Sequence, residues 1–149
     1  MLTLTRQSDY AVQFLSALAK NKSRHPLSIK SFADEARLSA LFLQHVARKL
    51  RAAEIVTSVK GTKGGYRLAK QSKDITLQKI LEAVDGPVAI VPCLQMNAPK
   101  CRHESFCATR RSIGFVNSRI NQYLNALTLT DLLMARVPEI SAKKITAVI

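Results

Sequence analysis

Two short amphipathic segments joined by a tight turn restrict the possible folds of this chain more than any other feature. Residues 29–36 and 40–53 each carry apolar side chains at three- and four-residue intervals, the spacing of one buried helix face. Ser28 and Ser39 immediately precede these segments, where a hydroxyl can cap the first turn of a helix. The apolar Leu38 lies in the turn between them. The order of helix, tight turn and helix predicts a helix-turn-helix motif.

A hairpin pattern follows directly. Residues 55–59 alternate and are rich in β-branched side chains, and residues 66–69 return as a second strand after a glycine-rich turn at 61–65. The glycines permit close approach to a phosphate backbone, and Lys60 and Lys63 supply positive charge. Neither GxxxxGK[ST] nor GxGxxG is present, which argues against a nucleotide-binding loop. A basic hairpin after a recognition helix predicts a wing.

Further helices are predicted at residues 6–20, 77–84, 109–127 and 131–134, with Asp74 or Thr76 capping the second and Thr130 the last. The longest has an apolar seam at alternating intervals of three and four residues, formed by Ile113, Val116, Ile120, Tyr123 and Leu127. This seam can pack against a second copy of the chain or against the first helix. The predicted fold class is therefore mainly α with a small β-hairpin wing: a winged helix-turn-helix followed by a long C-terminal dimerisation helix.

These elements divide the chain into four regions. Residues 1–88 are predicted to form the winged helix-turn-helix DNA-binding domain, and residues 89–108 a cysteine-containing loop. Residues 109–134 form the dimerisation helix and a short terminal turn, and residues 135–149, which have no clear seam, a disordered tail.

The charge of the chain indicates the class of its partner. The net charge is +13 and the isoelectric point is about 10.2, which favours a polyanion such as nucleic acid. A generally cationic surface without a specific partner is the alternative. No apolar run approaches the roughly 20 residues of a membrane span, and the N-terminus lacks a signal-peptide pattern, so we expect a cytoplasmic protein that does not bind membranes.

The candidate DNA contacts lie on the third helix and the hairpin. Gln44, His45 and Arg48 on the free face of the helix are expected at base edges or adjacent phosphates, because a helix fits the major groove. The hairpin residues are expected on the phosphate backbone or in the minor groove. The full candidate set is Ser39, Gln44, His45, Arg48, Lys49, Lys60, Lys63, Gly64, Tyr66 and Arg67.

All three cysteines lie in one segment, Pro92 to Cys107, that lacks apolar periodicity and is predicted to be a loop. Cys93, Cys101 and Cys107 are separated by seven and five intervening residues. Thiolates suit iron–sulfur clusters, zinc or copper(I), and a four-donor cluster site would need one further ligand. A zinc site that includes His103 remains an alternative, as does a metal-free thiol switch or a set of inert cysteines.

Two other function classes explain fewer of these sequence features than a DNA-binding protein does. An RNA-binding protein would account for the charge but not for the seam of the long helix. An enzyme is disfavoured because no set of nucleophile, base and orienting group is apparent, and the histidines at positions 25, 45 and 103 are scattered.

Four motifs together resemble the IscR and NsrR group of bacterial transcription regulators over residues 2–134. They are LTRQSDYAV at 4–12, SVKGTKGGYRLA at 58–69, EAVDGPV at 82–88 and TLTDL at 128–132. The resemblance implies a homodimer whose winged helices bind a palindromic operator, and we expect a regulator of the repressor type. It also implies that the cysteine loop holds a [2Fe-2S] or [4Fe-4S] cluster whose state changes the affinity for DNA.

The resemblance also implies the ligands. Cys93, Cys101 and Cys107 fall where cluster-binding members have their cysteines. IscR-like members have a histidine ligand three residues after the last cysteine, but Arg110 stands there and keeps its proton. In NsrR-like members the aspartate that matches Asp9 is a ligand reached from the partner subunit, which makes Asp9 the expected fourth donor.

One departure from the family pattern lies at the end of the recognition helix. Glu54 stands where the family usually has a glycine, and that glycine ends the helix before the hairpin.

Overall fold

The computed structural model describes residues 4–95 and 98–136, and its fold is the predicted one, mainly helical with a single antiparallel hairpin in that part of the chain. The elements are α1 (Arg6–Lys20), α2 (Ile29–Ala36), α3 (Ala40–Ala52), β1 (Val56–Val59), β2 (Gly65–Leu68), α4 (Leu77–Asp85), α5 (Arg110–Ala126) and α6 (Leu129–Leu133). Short 3-10 turns lie at Ser72–Asp74, Pro92–Leu94 and Glu104–Phe106. None of the helices within the described ranges is both long and apolar enough to cross a membrane.

The core lies where α1, α3 and α4 meet, with α2 and the hairpin closing its sides. Phe14, Leu15, Leu43, Leu50 and Ile80 are fully buried there. Burying a side chain of this size stabilises the fold by roughly 1.5–3 kcal/mol. The buried residues of α3 all lie on one face, so the opposite face of that helix is left to solvent.

Side-chain caps set where the helices begin. The predicted caps are confirmed for α2 and α3, whose Ser28 and Ser39 hydroxyls accept backbone N–H bonds. Thr76 caps α4, accepting a bond from the Lys79 N–H at 3.3 Å.

The prediction for the last helix was wrong at its start. Thr128, and not Thr130, caps α6, because Thr128 and Asp131 form a reciprocal capping box. The Thr128 backbone N–H donates to Asp131 Oδ2 at 2.9 Å, and the Asp131 N–H donates to Thr128 Oγ1 at 3.2 Å. The helix therefore begins at Leu129.

The hairpin is attached to the loop before α2. Val56 pairs with Leu68 and Val59 pairs with Gly65, which places the second strand one residue earlier than expected. The backbone of Tyr66 exchanges two hydrogen bonds with Leu27, at 3.0 and 2.9 Å. A Cβ at Gly65 would overlap the Leu27 carbonyl oxygen, so glycine allows this close approach.

The C-terminal helices attach to the body in different ways. Leu129 is buried in the core, and its N–H donates to the Ile75 carbonyl at 2.8 Å. In contrast, α5 has no buried residue and packs against α4, rather than against α1 as one alternative had it. Residues 137–149 of the expected disordered tail lie outside the described residues, whereas Ala135 and Arg136 follow α6 directly.

The turn between α3 and β1 contains a non-glycine residue in the left-handed region. Glu54 has φ 56°, and the following Ile55 N–H donates to the Leu50 carbonyl at 3.0 Å. This is the C-terminal geometry that usually takes glycine. Glu54 adopts this geometry too, so α3 ends where a glycine at this position would end it.

We predict that Glu54→Gly raises the free energy of unfolding by up to about 1 kcal/mol, because glycine adopts a positive φ without a Cβ penalty. Urea denaturation measures the change. Glu54→Ala is the matched control, since it removes the carboxylate but keeps the Cβ. An equal gain from both substitutions would assign the effect to charge and contradict the backbone explanation.

Candidate functional site

The free face of α3 is polar and basic. Gln44, His45 and Arg48 are all exposed on it within about one helical turn, while the opposite face of the helix is buried in the core through Leu43, Val46, Ala47 and Leu50. Ser39 lies exposed at the start of the helix and accepts a bond from the Phe42 N–H at 3.4 Å. Gln44, His45 and Arg48 therefore share one accessible surface, which we call the α3 face, and Ser39 is exposed at the N-terminal end of the helix.

The hairpin tip carries further positive charge. Lys60 and Lys63 are exposed in the turn. Gly64 is half-buried, its N–H donates to the Gly61 carbonyl at 2.9 Å, and a Cβ there would overlap the Val59 carbonyl oxygen. Gly64 therefore closes the turn that presents the two lysines.

Two other candidate contacts on the hairpin are engaged within the protein. The ring of Tyr66 is half-buried and packs edge-on against Phe14, with 6.0 Å between ring centroids. The guanidinium of Arg67 donates a hydrogen bond to the carbonyl of Arg24 in the loop before α2. Both side chains attach the wing to the body.

Lys49 is also directed inward, although it lies on α3. Its Nζ donates to the Val84 carbonyl oxygen at 2.6 Å and to Gln7 Oε1 at 2.8 Å. The side chain is half-buried, and its charge lies at the C-terminal end of α4, where a cation is favoured by the helix dipole. Lys49 thus joins α3, α4 and α1 at one point, which we call the Lys49 node.

A carboxylate near this node joins two of these helices, α4 and α1. Asp85, the last residue of α4, accepts hydrogen bonds from the hydroxyls of Thr5 at 2.8 Å and of Ser8. Ser8 is fully buried. The sequence carries no signal for these contacts, because no local pattern pairs residues that lie 77 and 80 positions apart.

The cysteine segment connects α4 to α5. Cys93 lies in the 3-10 turn at 92–94 and is half-buried, as is Cys101, whereas Cys107 is exposed. Asp9 is exposed on α1, where it accepts a bond from Gln13 Nε2 at 3.0 Å. Over residues 4–95 and 98–136, the single chain brings no three cysteine, histidine, aspartate or glutamate side chains close enough to hold a metal ion.

The environment of Cys107 favours its thiolate form. A hydrogen bond with the Thr109 hydroxyl, with 3.7 Å between Sγ and Oγ1, lowers the pKa of the Cys107 thiol, and the Thr109 backbone adds to this effect. Thiolate is the form that binds metals and reacts with oxidants. Arg110, at the position of the histidine ligand in IscR-like proteins, forms an ion pair with Glu104 at 3.3 Å. This pair links the turn before Cys107 to the start of α5.

Comparison with known proteins gives consistent matches over nearly the whole described chain. The model of the family Rrf2, described as an iron-dependent transcriptional regulator, matches residues 4–135. An rrf2-like HTH-type transcriptional regulator of Rhodobacter capsulatus is 32% identical over 142 residues, covering 91% of this chain and 95% of the relative.

Two solved structures are also similar. CymR, the global cysteine regulator of B. subtilis, has a TM-score of 0.72 and 27% identity, with 91% of this chain and 98% of CymR covered. IscR of T. potens has a TM-score of 0.68 and 29% identity, with 90% and 88% covered.

Substitutions at Lys49 and Arg48 test which of the two side chains stabilises the fold. We predict that Lys49→Met, which keeps the length of the side chain, lowers the free energy of unfolding by about 1–3 kcal/mol, because two charge-assisted hydrogen bonds are lost. Arg48→Met is the matched control, since Arg48 is the exposed neighbour on the same helix, and we expect a change within about 0.5 kcal/mol. Thermal or urea unfolding measures both. Equal losses would contradict the structural role of Lys49.

Proposed function

Because the chain belongs to the Rrf2 family of transcriptional regulators, we propose that it acts as a homodimeric repressor that binds a palindromic operator and senses its signal through an iron–sulfur cluster. The observation that carries the DNA-binding part is the α3 face, with an exposed basic hairpin tip next to it along the chain. The exposed surface of α5 supports the homodimer, and the donor chemistry of the cysteine segment supports the cluster.

The α3 face supports DNA recognition by its chemistry. Gln44 offers an amide that suits adenine, and Arg48 offers a fork of donors that suits guanine or a phosphate. Lys60 and Lys63 on the wing would neutralise phosphates and fix the register of the helix. The net charge of +13 adds long-range attraction to DNA. Tyr66 and Arg67, engaged within the protein, would support the wing rather than contact DNA.

The surface of α5 supports self-association. The helix is 17 residues long and has no buried residue, while Phe115 and Val116 are about half exposed, at 52% and 45%. An amphipathic helix with an apolar stripe left open is stabilised by a partner that covers it. In a dimer with two-fold symmetry, the two α3 helices would engage half-sites about one DNA turn, ~34 Å, apart.

The donor chemistry of the cysteine segment suits an iron–sulfur cluster. Cys93, Cys101 and Cys107 would supply thiolates, and Asp9 of a second copy would supply a carboxylate oxygen. Such a cluster would provide an iron centre that responds to redox state, nitric oxide or iron supply. Thr109 would keep Cys107 ready as a thiolate through its hydrogen bond.

The contacts at the end of α4 support coupling between this segment and α3. The chain leaves α4 at Asp85, which binds the start of α1 close to Asp9, and Lys49 of α3 binds the preceding carbonyl. A displacement of the segment would therefore act on residues that contact the recognition helix. A two-state change of this kind is how one site alters the affinity of another.

Lys63→Ala tests the wing. We predict that it weakens binding to all duplexes alike and makes the slope of log K against log salt concentration less negative by about one unit, because one phosphate contact is lost. Lys100→Ala, which removes the same charge from the cysteine segment, is the control and should leave the slope unchanged. If Lys63→Ala changed sequence preference alone, the wing assignment would be wrong.

Purification without oxygen tests the sensor. We predict a coloured, iron-containing dimer whose Mössbauer spectrum changes in Asp9→Ala, since one iron would lose an oxygen ligand. Gln13→Ala is the control, because Gln13 contacts Asp9 but cannot be a ligand in the proposed set. Colourless protein with bound zinc would favour the site that includes His103. Colourless, metal-free protein that binds its operator equally well before and after oxidation would contradict the proposed sensing function.

A further inference from the structure

One apolar residue interrupts the polar α3 face. Leu41, the second residue of α3, is 75% exposed. Its neighbour Phe42 is half-buried and packs edge-on against Tyr10, with 5.4 Å between ring centroids. The core contact at this end of the helix is therefore made by Phe42, and Leu41 extends into solvent.

The position of Leu41 on the helix relates it to the candidate base contacts. Residues three, four and seven positions later lie on the same side of an α-helix, and here these are Gln44, His45 and Arg48. The first turn is held by the Ser39 cap. In helix-turn-helix proteins, the N-terminal residues of the recognition helix contact base edges. Leu41 lies at this N-terminal end of α3, so it would be close to base edges if α3 enters the major groove.

The chemistry of the major groove offers one apolar group to such a residue. Thymine carries a C5 methyl, whereas the other edges display hydrogen-bond donors and acceptors. A leucine cannot form hydrogen bonds, so it would gain from contact with the methyl and would desolvate polar edges without compensation. We propose that Leu41 is a specificity-determining residue that selects a thymine in each half-site through its methyl group.

The surroundings of Leu41 favour this partner over a protein. Protein-binding surfaces expose contiguous apolar patches, but the residues that share the face with Leu41 are polar or basic. The exposed Phe115 and Val116 lie on a different element, α5. A polyanion that carries an isolated methyl matches an isolated leucine within a basic surface. The inference rests on the proposed DNA-binding function and adds the base that this residue reads.

The test removes the methyl and nothing else. A preferred duplex is first selected from a random pool with the wild-type protein, and each thymine is then replaced singly by deoxyuridine. At one thymine in each half-site we expect wild-type affinity to fall about fourfold, the effect of one methyl-sized apolar contact. Leu41→Ala should bind the two duplexes equally, and Leu41→Met, which keeps an apolar side chain, should retain most of the difference.

The outcomes separate the inference from the function on which it rests. If wild-type protein selects a sequence but no deoxyuridine weakens it, or if Leu41→Ala shows the same loss as wild type, Leu41 does not read a methyl while the DNA-binding function stands. If wild-type protein selects no sequence, the proposed function fails and the inference fails with it. Unfolding measurements on Leu41→Ala check that this exposed substitution leaves the fold intact.

Discussion

The bond between the Lys49 ammonium and the Val84 carbonyl fixes how α3 is held against α4. It joins the back of α3 to the end of α4, and the second bond to Gln7 adds α1. A half-buried charge with two acceptors adds a directional constraint to the apolar packing of α3. Asp85 reinforces the same junction from the other side through Thr5. The free face of α3 therefore points outward in a defined direction, and the hairpin, attached at Leu27, adopts a fixed position near it.

Local signals predicted most of the fold. The bounds of α1 and α2 agree with the sequence expectation because their caps and apolar spacing lie within a few residues. The start of α6 was missed because two threonines could each serve as the cap, and the Asp131 side chain decides between them only through its reciprocal bond to Thr128. The positive φ of Glu54 was indicated only by the glycine that the family usually has there, since glutamate itself carries no signal for it.

The candidate site was predicted less completely, because side-chain direction depends on distant partners. Helical spacing correctly placed Gln44 and Arg48 in solvent, yet the same reasoning included Lys49, whose acceptors lie on other helices. The role of Tyr66 as a DNA contact stays a prediction, and no local pattern indicated that its ring packs on Phe14. The cysteine ligands remain a prediction, because the expected fourth donor belongs to a second copy of the chain and no single subunit can complete the set.

The way α5 is attached determines which of its contacts can break and form again. Asn117 accepts the Ile90 N–H at 2.9 Å, and Asn121 donates to the Val88 carbonyl at 3.2 Å. Water can replace such amide contacts at little cost, whereas the interlocked apolar core cannot be hydrated cheaply. The contacts of Asn117 and Asn121 therefore attach α5 to the segment after α4 through polar bonds that water can replace. In the proposed dimer, such contacts would let the angle of α5 switch between two arrangements while the apolar core stays dry.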